Sequence, residues 1–127
     1  AAEGGAVAIF IKKMLTGEPL IVYGDGQQTR DFVFVGDVVD ALMLSLKQKQ
    51  SFKVNIGSGK EVSIKELLAG LEDLTKIKPK ITNLPARPVE IDHSLFSHEL
   101  ATNTLSWRPK TDLKSGLKKT LEYYQNQ

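Results

Sequence analysis

The chain has no cysteine. That excludes a disulfide framework and a thiolate-ligated zinc site, and it agrees with a reducing compartment, so a cytoplasmic location is expected. Histidine is scarce as well. His93 and His98 are the only two, and their spacing of five misses the i, i+4 geometry of a helical metal pair, so no metal site is expected. No apolar run approaches the length of a membrane span. Excess charge of one sign is also missing: 17 basic residues face 15 acidic ones, for a net +2. Nucleic-acid binding calls for a concentrated basic face, which this balance does not supply. Lys110, Lys114, Lys118 and Lys119 are the densest lysines, and they read as the solvated side of a helix, with an anion or membrane patch as the alternative. The single tryptophan, Trp107, lies between Leu105 and Pro109 and reads as a packing anchor, with base stacking as the alternative. The start, Ala1-Ala2-Glu3-Gly4-Gly5, has neither an initiator methionine nor the basic segment of a secretory signal. A piece of a longer polypeptide is therefore expected.

What remains is an ordinary globular composition, 41% apolar and 25% charged over 127 residues. That length suits one unit, residues 1–127, that can bury roughly two-thirds of its unfolded surface. Val7, Phe10, Ile11 and Met14 recur at helical spacing and Gly17 follows, predicting a helix over 6–15. Pro19 then forces an extended approach to a short strand at Leu20–Tyr23, and Gly24-Asp25-Gly26 reads as a turn. Thr29–Val35 predicts a second strand. Asp37 is placed to cap a following helix whose apolar face would be Val38, Ala41, Leu42 and Leu46. Val54-Asn55-Ile56 predicts a third strand, ending at Gly57-Ser58-Gly59. Ser63 and Glu66 have the spacing of a capping box, with Ile64, Leu67, Leu68, Leu71 and Leu74 on one helix face behind them. Ile77–Ile81 suggests an edge strand because it contains Pro79. Leu84–Pro88 reads as a loop and Ser97–Leu105 as a weaker helix. Thr111 is the expected cap of a last helix, which would bury Leu113, Leu117, Leu121 and Tyr124. The fold class is α/β or α+β, with helices in excess of a few short strands and no internal boundary.

Two glycine pairs invite a phosphate-loop reading, and both fail. A Walker A loop needs glycine five residues before the glycine that precedes lysine. Val54 stands there, and Glu61 follows Lys60 where Ser or Thr should. The dinucleotide pattern fails at Val62 for Gly57-x-Gly59 and at Thr29 for Gly24-x-Gly26. Tight turns are the simpler role.

The run Gly17-Glu18-Pro19-Leu20-Ile21-Val22-Tyr23-Gly24-Asp25-Gly26-Gln27-Gln28-Thr29-Arg30-Asp31-Phe32-Val33-Phe34-Val35 resembles the extended short-chain dehydrogenase/reductase family of nucleotide-sugar epimerases and dehydratases. Asn55-Ile56-Gly57-Ser58-Gly59, Pro85-Ala86-Arg87-Pro88-Val89-Glu90 and Leu105-Ser106-Trp107-Arg108-Pro109-Lys110 agree in order and spacing, as does the last helix ending Glu122-Tyr123-Tyr124. The opening Glu3-Gly4-Gly5-Ala6-Val7-Ala8-Ile9-Phe10 looks most like the UDP-glucose 4-epimerase-like branch. The resemblance covers essentially the whole chain. It implies the smaller, C-terminal, substrate-binding part of a Rossmann-type enzyme, with NAD held by an N-terminal domain outside this chain. Tyr-x-x-x-Lys, the family's proton-transfer pair, is absent, since Gln27 and Gln127 follow Tyr23 and Tyr123 at that spacing and Tyr124 has no such residue. No catalytic residue and no NAD ligand is therefore assigned to this chain, and it is expected to be inactive alone. The parent is expected to be a homodimer through its Rossmann part.

The resemblance also implies a site. Arg30, in the Thr-Arg-Asp-Phe block, and Arg87, in the Pro-Ala-Arg-Pro loop, would hold the pyrophosphate of a UDP-sugar, for which a planar guanidinium is suited. Glu90 would accept from the ribose hydroxyls. Backbone groups near Ile21 and Tyr23 would read the uracil edge, which leaves UDP, TDP and GDP undistinguished by side chains. Read without the resemblance, the two arginines are surface ion-pair partners. Asp31, Phe32 and Asp37 read as structural. A dehydratase, a decarboxylase and a non-catalytic binding module remain alternatives to the epimerase.

Overall fold

A computed structural model describes residues 5–127; the Glu3-Gly4 opening of the epimerase-like block lies outside them. The elements run α1 (Ala6–Thr16), β1 (Leu20–Tyr23), β2 (Thr29–Asp31), α2 (Val35–Ser45), β3 (Glu61–Ser63), α3 (Ile64–Thr75), β4 (Ile81–Leu84), α4 (Glu99–Leu105) and α5 (Leu113–Gln125). The mixed helical and short-strand architecture is the expected one.

The main core joins α1, β1, α3 and α5. Ile11, Leu20, Leu67 and Leu71 are fully buried there, with Phe10, Met14, Leu117 and Leu121 around them. Burying each such side chain contributes about 1.5–3 kcal/mol. Helix α1 stops at Gly17, whose left-handed backbone turns its N–H onto the carbonyls of Lys13 and Met14. Helix α3 starts at the predicted capping box: Glu66 N donates to Ser63 Oγ at 3.1 Å, and Ser63 N donates to the Glu66 carboxylate at 2.7 Å. A second, smaller cluster holds Ala41 of α2, Ala101 and Leu105 of α4, and Trp107, so the tryptophan is the packing anchor expected of it.

The strands form two separate pairs. β1 lies parallel to β4, Leu20 opposite Ile81 and Tyr23 opposite Leu84. β2 lies antiparallel to β3, Thr29 opposite Ser63 and Asp31 opposite Glu61.

Several boundaries differ from the sequence reading, each for a physical reason. β2 ends at Asp31 instead of Val35, because Phe32 packs on the main core and Val33 on the second cluster. Helix α2 begins at Val35, so Asp37 lies inside its first turn and does not cap it. The buried Asp37 carboxylate instead accepts from Lys110 N, Thr111 N and Thr111 Oγ1 at 3.1, 2.9 and 3.1 Å, while Trp107 Nε1 donates to the Asp37 carbonyl at 2.8 Å. Leu42 and Leu46, assigned to the buried face of α2, are 59% and 78% exposed. Val54–Ile56 pairs with no strand among the described residues, whereas Glu61–Ser63 does. The edge strand falls at Ile81–Leu84 rather than 77–81, beyond Pro79, whose missing N–H would leave a gap in the ladder. Thr111 yields the capping role in α5 to Asp112, which accepts from Ser115 N at 2.8 Å. No helix among the described residues is long and apolar enough to cross a membrane.

Asp37 therefore ties α2 to the segment that launches α5. Asp37→Ala is expected to lower stability by about 1–3 kcal/mol, because it strands donors that are partly or wholly out of water. The measurement is the urea midpoint at unchanged slope; an unmoved midpoint would show that the tie contributes nothing.

Candidate functional site

Parallel pairing with β4 decides which backbone groups of β1 stay free. In a parallel ladder alternate residues bond to the same neighbour. Leu20 N donates to Lys80 O at 2.7 Å and Gly24 N to Leu84 O at 2.8 Å. The main-chain groups of Ile21 and Tyr23 therefore point to the opposite edge of β1, which carries no strand among the described residues. On that edge the Gln28 side-chain amide donates to Tyr23 O at 2.9 Å.

The turn after β1 requires its glycines. Gly24 has φ +68 and Gly26 φ +77, and a side chain at Gly26 would meet Lys65 Cγ at 3.2 Å. Asp25 closes the turn by accepting from Gln27 N at 2.9 Å. The chain is thereby returned into β2, which places Arg30 beside the Pro-rich loop.

That loop, residues 85–93, has little regular structure and is held from β2. Thr29 N donates to Asp92 O at 2.8 Å. Arg30 Nη1 donates to Ile91 O at 2.6 Å and to Thr29 O at 2.7 Å, and Arg30 Nη2 reaches Glu90 Oε1 at 3.5 Å. Within the loop Glu90 N donates to Arg87 O at 3.1 Å. The Arg87 guanidinium lies over the Tyr23 ring, 3.5 Å from its centroid.

Two adjoining clefts, about 340 and 370 Å³, open here. Tyr23, Gln28, Arg87 and Glu90 line both, and Ile21 lines the second. The structure thus brings Ile21, Tyr23, Arg87 and Glu90 to one place. Arg30 stands behind Glu90 and is partly committed to backbone carbonyls. Gln28, which also lines both clefts, is not among the residues the sequence singles out, although it belongs to the Gly-Asp-Gly run; an amide beside an arginine-bearing loop is the signal that points to it. The contact of the Tyr23 ring with Arg87 was missed too, since it joins residues 64 positions apart. A larger cavity of about 610 Å³, beside Gly59, His98 and Arg108, contains none of the assigned residues.

Asp31, the residue after Arg30, ties the end of β2 to the Gly57-Ser58-Gly59 turn and to Phe96. Its carboxylate accepts from Ser58 N, Ser58 Oγ, Gly59 N and Phe96 N at 2.7, 2.6, 3.1 and 3.2 Å. A side chain on Gly57 would stand 2.7 Å from Asp31 Oδ2, so the Gly57-Ser58-Gly59 turn is shaped to that carboxylate. Burial alone would raise the Asp31 pKa, but the donors of Ser58, Phe96 and Gly59 outweigh it and hold the carboxyl below its ordinary 3.8.

A family model described as GDP-mannose 4,6 dehydratase matches residues 5–120. The chain belongs to this family of nucleotide-sugar dehydratases and epimerases. Its fold superposes on the crystal structure of UDP-glucose 4-epimerase with UDP-glucose from Thermotoga maritima with a TM-score of 0.93 at 35% identity, over 98% of this chain and 40% of that one. A UDP-glucuronic acid 4-epimerase from Bacillus cereus, in complex with UDP-glucuronic acid and NAD, gives 0.89 at 28% identity, over 96% and 40%. The UDP-N-acetyl-α-D-glucosaminuronate decarboxylase of Bacillus cytotoxicus is 32% identical over 127 residues, covering 94% of this chain and 40% of the relative. The chain thus spans about two-fifths of the length of these extended short-chain dehydrogenase/reductase relatives.

Asp31 gives a pH prediction. Its folded pKa is depressed, so its contribution to stability is complete above the unfolded value and is lost as pH falls through the folded one. The gap in thermal midpoint between the wild type and Asp31→Asn is expected to be constant above about pH 5 and to shrink progressively below about pH 4. Thermal melts followed by circular dichroism from pH 7 to pH 3 would reveal it; a gap that does not change with pH would sink the assignment.

Proposed function

We propose that residues 1–127 are the nucleotide-sugar-binding portion of an NAD-dependent UDP-sugar 4-epimerase. The observation that carries this is the convergence of Arg87, Glu90, Ile21 and Tyr23 on one cleft, with Arg30 clasping Glu90 from behind. A guanidinium lying face-on to a ring keeps its in-plane N–H donors free. Arg87 is therefore already oriented to present paired donors to a diphosphate, each charge-assisted bond worth about 1.5–3 kcal/mol. Arg30 has spent donors on Thr29 O and Ile91 O, so its share of phosphate binding is smaller and its share of loop positioning larger. The Glu90 carboxylate accepts from the ribose hydroxyls. On the outer edge of β1 the main-chain N–H and C=O of Ile21 offer a donor and an acceptor to the base, beside Tyr23, whose carbonyl is taken by Gln28.

The chemistry of the sugar belongs elsewhere in the enzyme. NAD supplies hydride acceptance and return, and this chain has neither its glycine fingerprint nor the Tyr-x-x-x-Lys pair. The part of the chain's role that follows from its own residues is to bind and orient the nucleotide. The 32% identical decarboxylase supports a second reading, a UDP-sugar decarboxylase, which would use the same cleft.

In the full-length enzyme, Arg87→Ala is expected to weaken UDP binding about tenfold or more by titration calorimetry, the equivalent of about 1.4 kcal/mol. Arg30→Ala should do likewise with an added fall in thermal stability, because it also releases the loop. Unchanged affinity in both variants would remove them from the site. Residues 1–127 alone should bind UDP weakly and show no turnover of UDP-glucose in a coupled assay; turnover by the pure chain would refute that division of labour.

A further inference from the structure

The strand pair β2–β3 sets one acid against another. Asp31 lies directly opposite Glu61, and like charges facing each other across a ladder are unfavourable. The two carboxylates turn apart. Asp31 takes the donors of Ser58, Gly59 and Phe96. Glu61 reaches along the same face to Thr29, two residues from its own partner. Thr29 Oγ1 donates to Glu61 Oε1 at 2.6 Å, and His93 Nδ1 lies 3.3 Å from both of these oxygens.

Counting hydrogens places the proton in this triangle. A threonine hydroxyl has one hydrogen, and the short contact to Glu61 uses it. Both oxygens then face His93 Nδ1 as acceptors, so that nitrogen carries a hydrogen and donates to the pair. The neutral imidazole meets this need in one tautomer. The protonated ring adds a positive charge beside the Glu61 carboxylate, and a charge-assisted bond is the stronger one. His93 closes the 85–93 loop. On the other face of β2, Arg30 holds the same loop at Ile91 O and Glu90, and Thr29 N takes Asp92 O at the strand's edge. The loop that carries Arg87 and Glu90 is thus gripped from both faces of one three-residue strand. The other charged groups around His93 line the same cleft: Asp25 of the turn after β1, and Arg87, Glu90 and Asp92 of its own loop. Among the described residues, Glu61 alone is in ion-pair contact with the ring.

We propose that Glu61 is a positioning residue for the candidate nucleotide cleft: through Thr29 and His93 it clamps the C-terminal end of the loop that carries Arg87 and Glu90, and protonation of His93 tightens the clamp. The proposal rests on the reading of that cleft as the site of a UDP-sugar. Its sign follows from the charges. Uptake of a proton at His93 strengthens the pair with Glu61 while the carboxylate stays ionised, so binding improves as pH falls through the range in which histidine gains its charge. The pair is largely exposed, 74% at His93 and 37% at Glu61, so the gain is a small factor and is weakened by salt.

The test is binding of UDP-glucose to the full-length enzyme by titration calorimetry at about pH 8 and about pH 5.5, on either side of the histidine range. The diphosphate of UDP-glucose is esterified at both ends and takes up no proton between these values, so the charge of the ligand is constant. On acidification wild type is expected to gain affinity about two- to fivefold more than His93→Asn does. Reading the difference removes titrating groups elsewhere in the enzyme. At about pH 8, Glu61→Ala should bind about two- to tenfold more weakly than wild type, the loss of a hydrogen-bonded anchor. Glu61→Gln should recover most of that loss, since its carbonyl oxygen still accepts from Thr29, and should lack the gain on acidification. A fully retained gain in Glu61→Gln would mean that His93 acts on the ligand directly and would overturn the proposal. So would equal pH profiles of wild type and His93→Asn, or a Glu61→Ala variant that loses thermal stability and keeps its affinity, which would make the contact structural only. UDP-glucose binding that persists with none of these differences leaves the nucleotide site standing and removes only the clamp. No binding by wild type at either pH removes the site, and this proposal with it.

Discussion

The position of the loop over residues 85–93 depends on Arg30. The loop has little hydrogen bonding of its own, and a Pro-rich segment cannot supply much, since each proline lacks a donor. Arg30 provides what is missing by bonding Ile91 O and reaching Glu90, while the neighbouring Thr29 N takes Asp92 O. Everything behind Arg30 serves to hold it still. β2 is fixed in register by β3, with Arg30 opposite Val62. β3 runs directly into the Ser63–Glu66 capping box, and the helix that box starts is buried through Leu67 and Leu71 in the main core. The geometry of a three-residue strand is thus inherited from a twelve-residue helix.

The helices of the main core were readable because their signal is local and repeated. Phe10, Ile11 and Met14 in α1, Leu67, Leu68 and Leu71 in α3, and Leu117 and Leu121 in α5 keep helical spacing over several turns, and all are buried. The strands were harder. Glu61-Val62-Ser63 has one apolar residue, so no alternation announces it; it pairs because β2 needs a partner. Val54-Asn55-Ile56 has the alternation without a partner among the described residues. Asp37 was misread for a related reason. An acid before an apolar run has the look of a cap, but this one is aimed at Lys110 and Thr111, across a distance in sequence that no local rule spans.

The candidate site was legible in a different way. Composition and spacing do not separate Arg30 and Arg87 from surface ion-pair partners, and Arg30 does form an ion pair with Glu90. What singled them out was the resemblance of the Gly-Asp-Gly-x-Gln-Thr-Arg-Asp-Phe run and of the Pro-Ala-Arg-Pro loop to one family. The structure adds the relation between the two blocks: the Arg87 plane on the Tyr23 ring, Gln28 on the Tyr23 carbonyl, and the outward-facing backbone of Ile21 and Tyr23. These arise from the parallel register of β1 and β4, whose partners lie about sixty residues apart. Pairing over that distance leaves no periodic trace in either segment.

In the proposed site the two arginines divide a problem that a single one would solve badly. A guanidinium that binds phosphate must be both free to donate and fixed in place, and donors used for fixing are unavailable for binding. Arg30 gives its donors to the backbone and so fixes the loop. Arg87, carried on that loop, is steadied by its face on the Tyr23 ring and keeps its edge unspent. The Glu90 carboxylate, 3.5 Å from Arg30, offsets part of the positive charge that two arginines bring to this region. On the proposed function, one arginine is spent on position so that the other can be spent on the ligand.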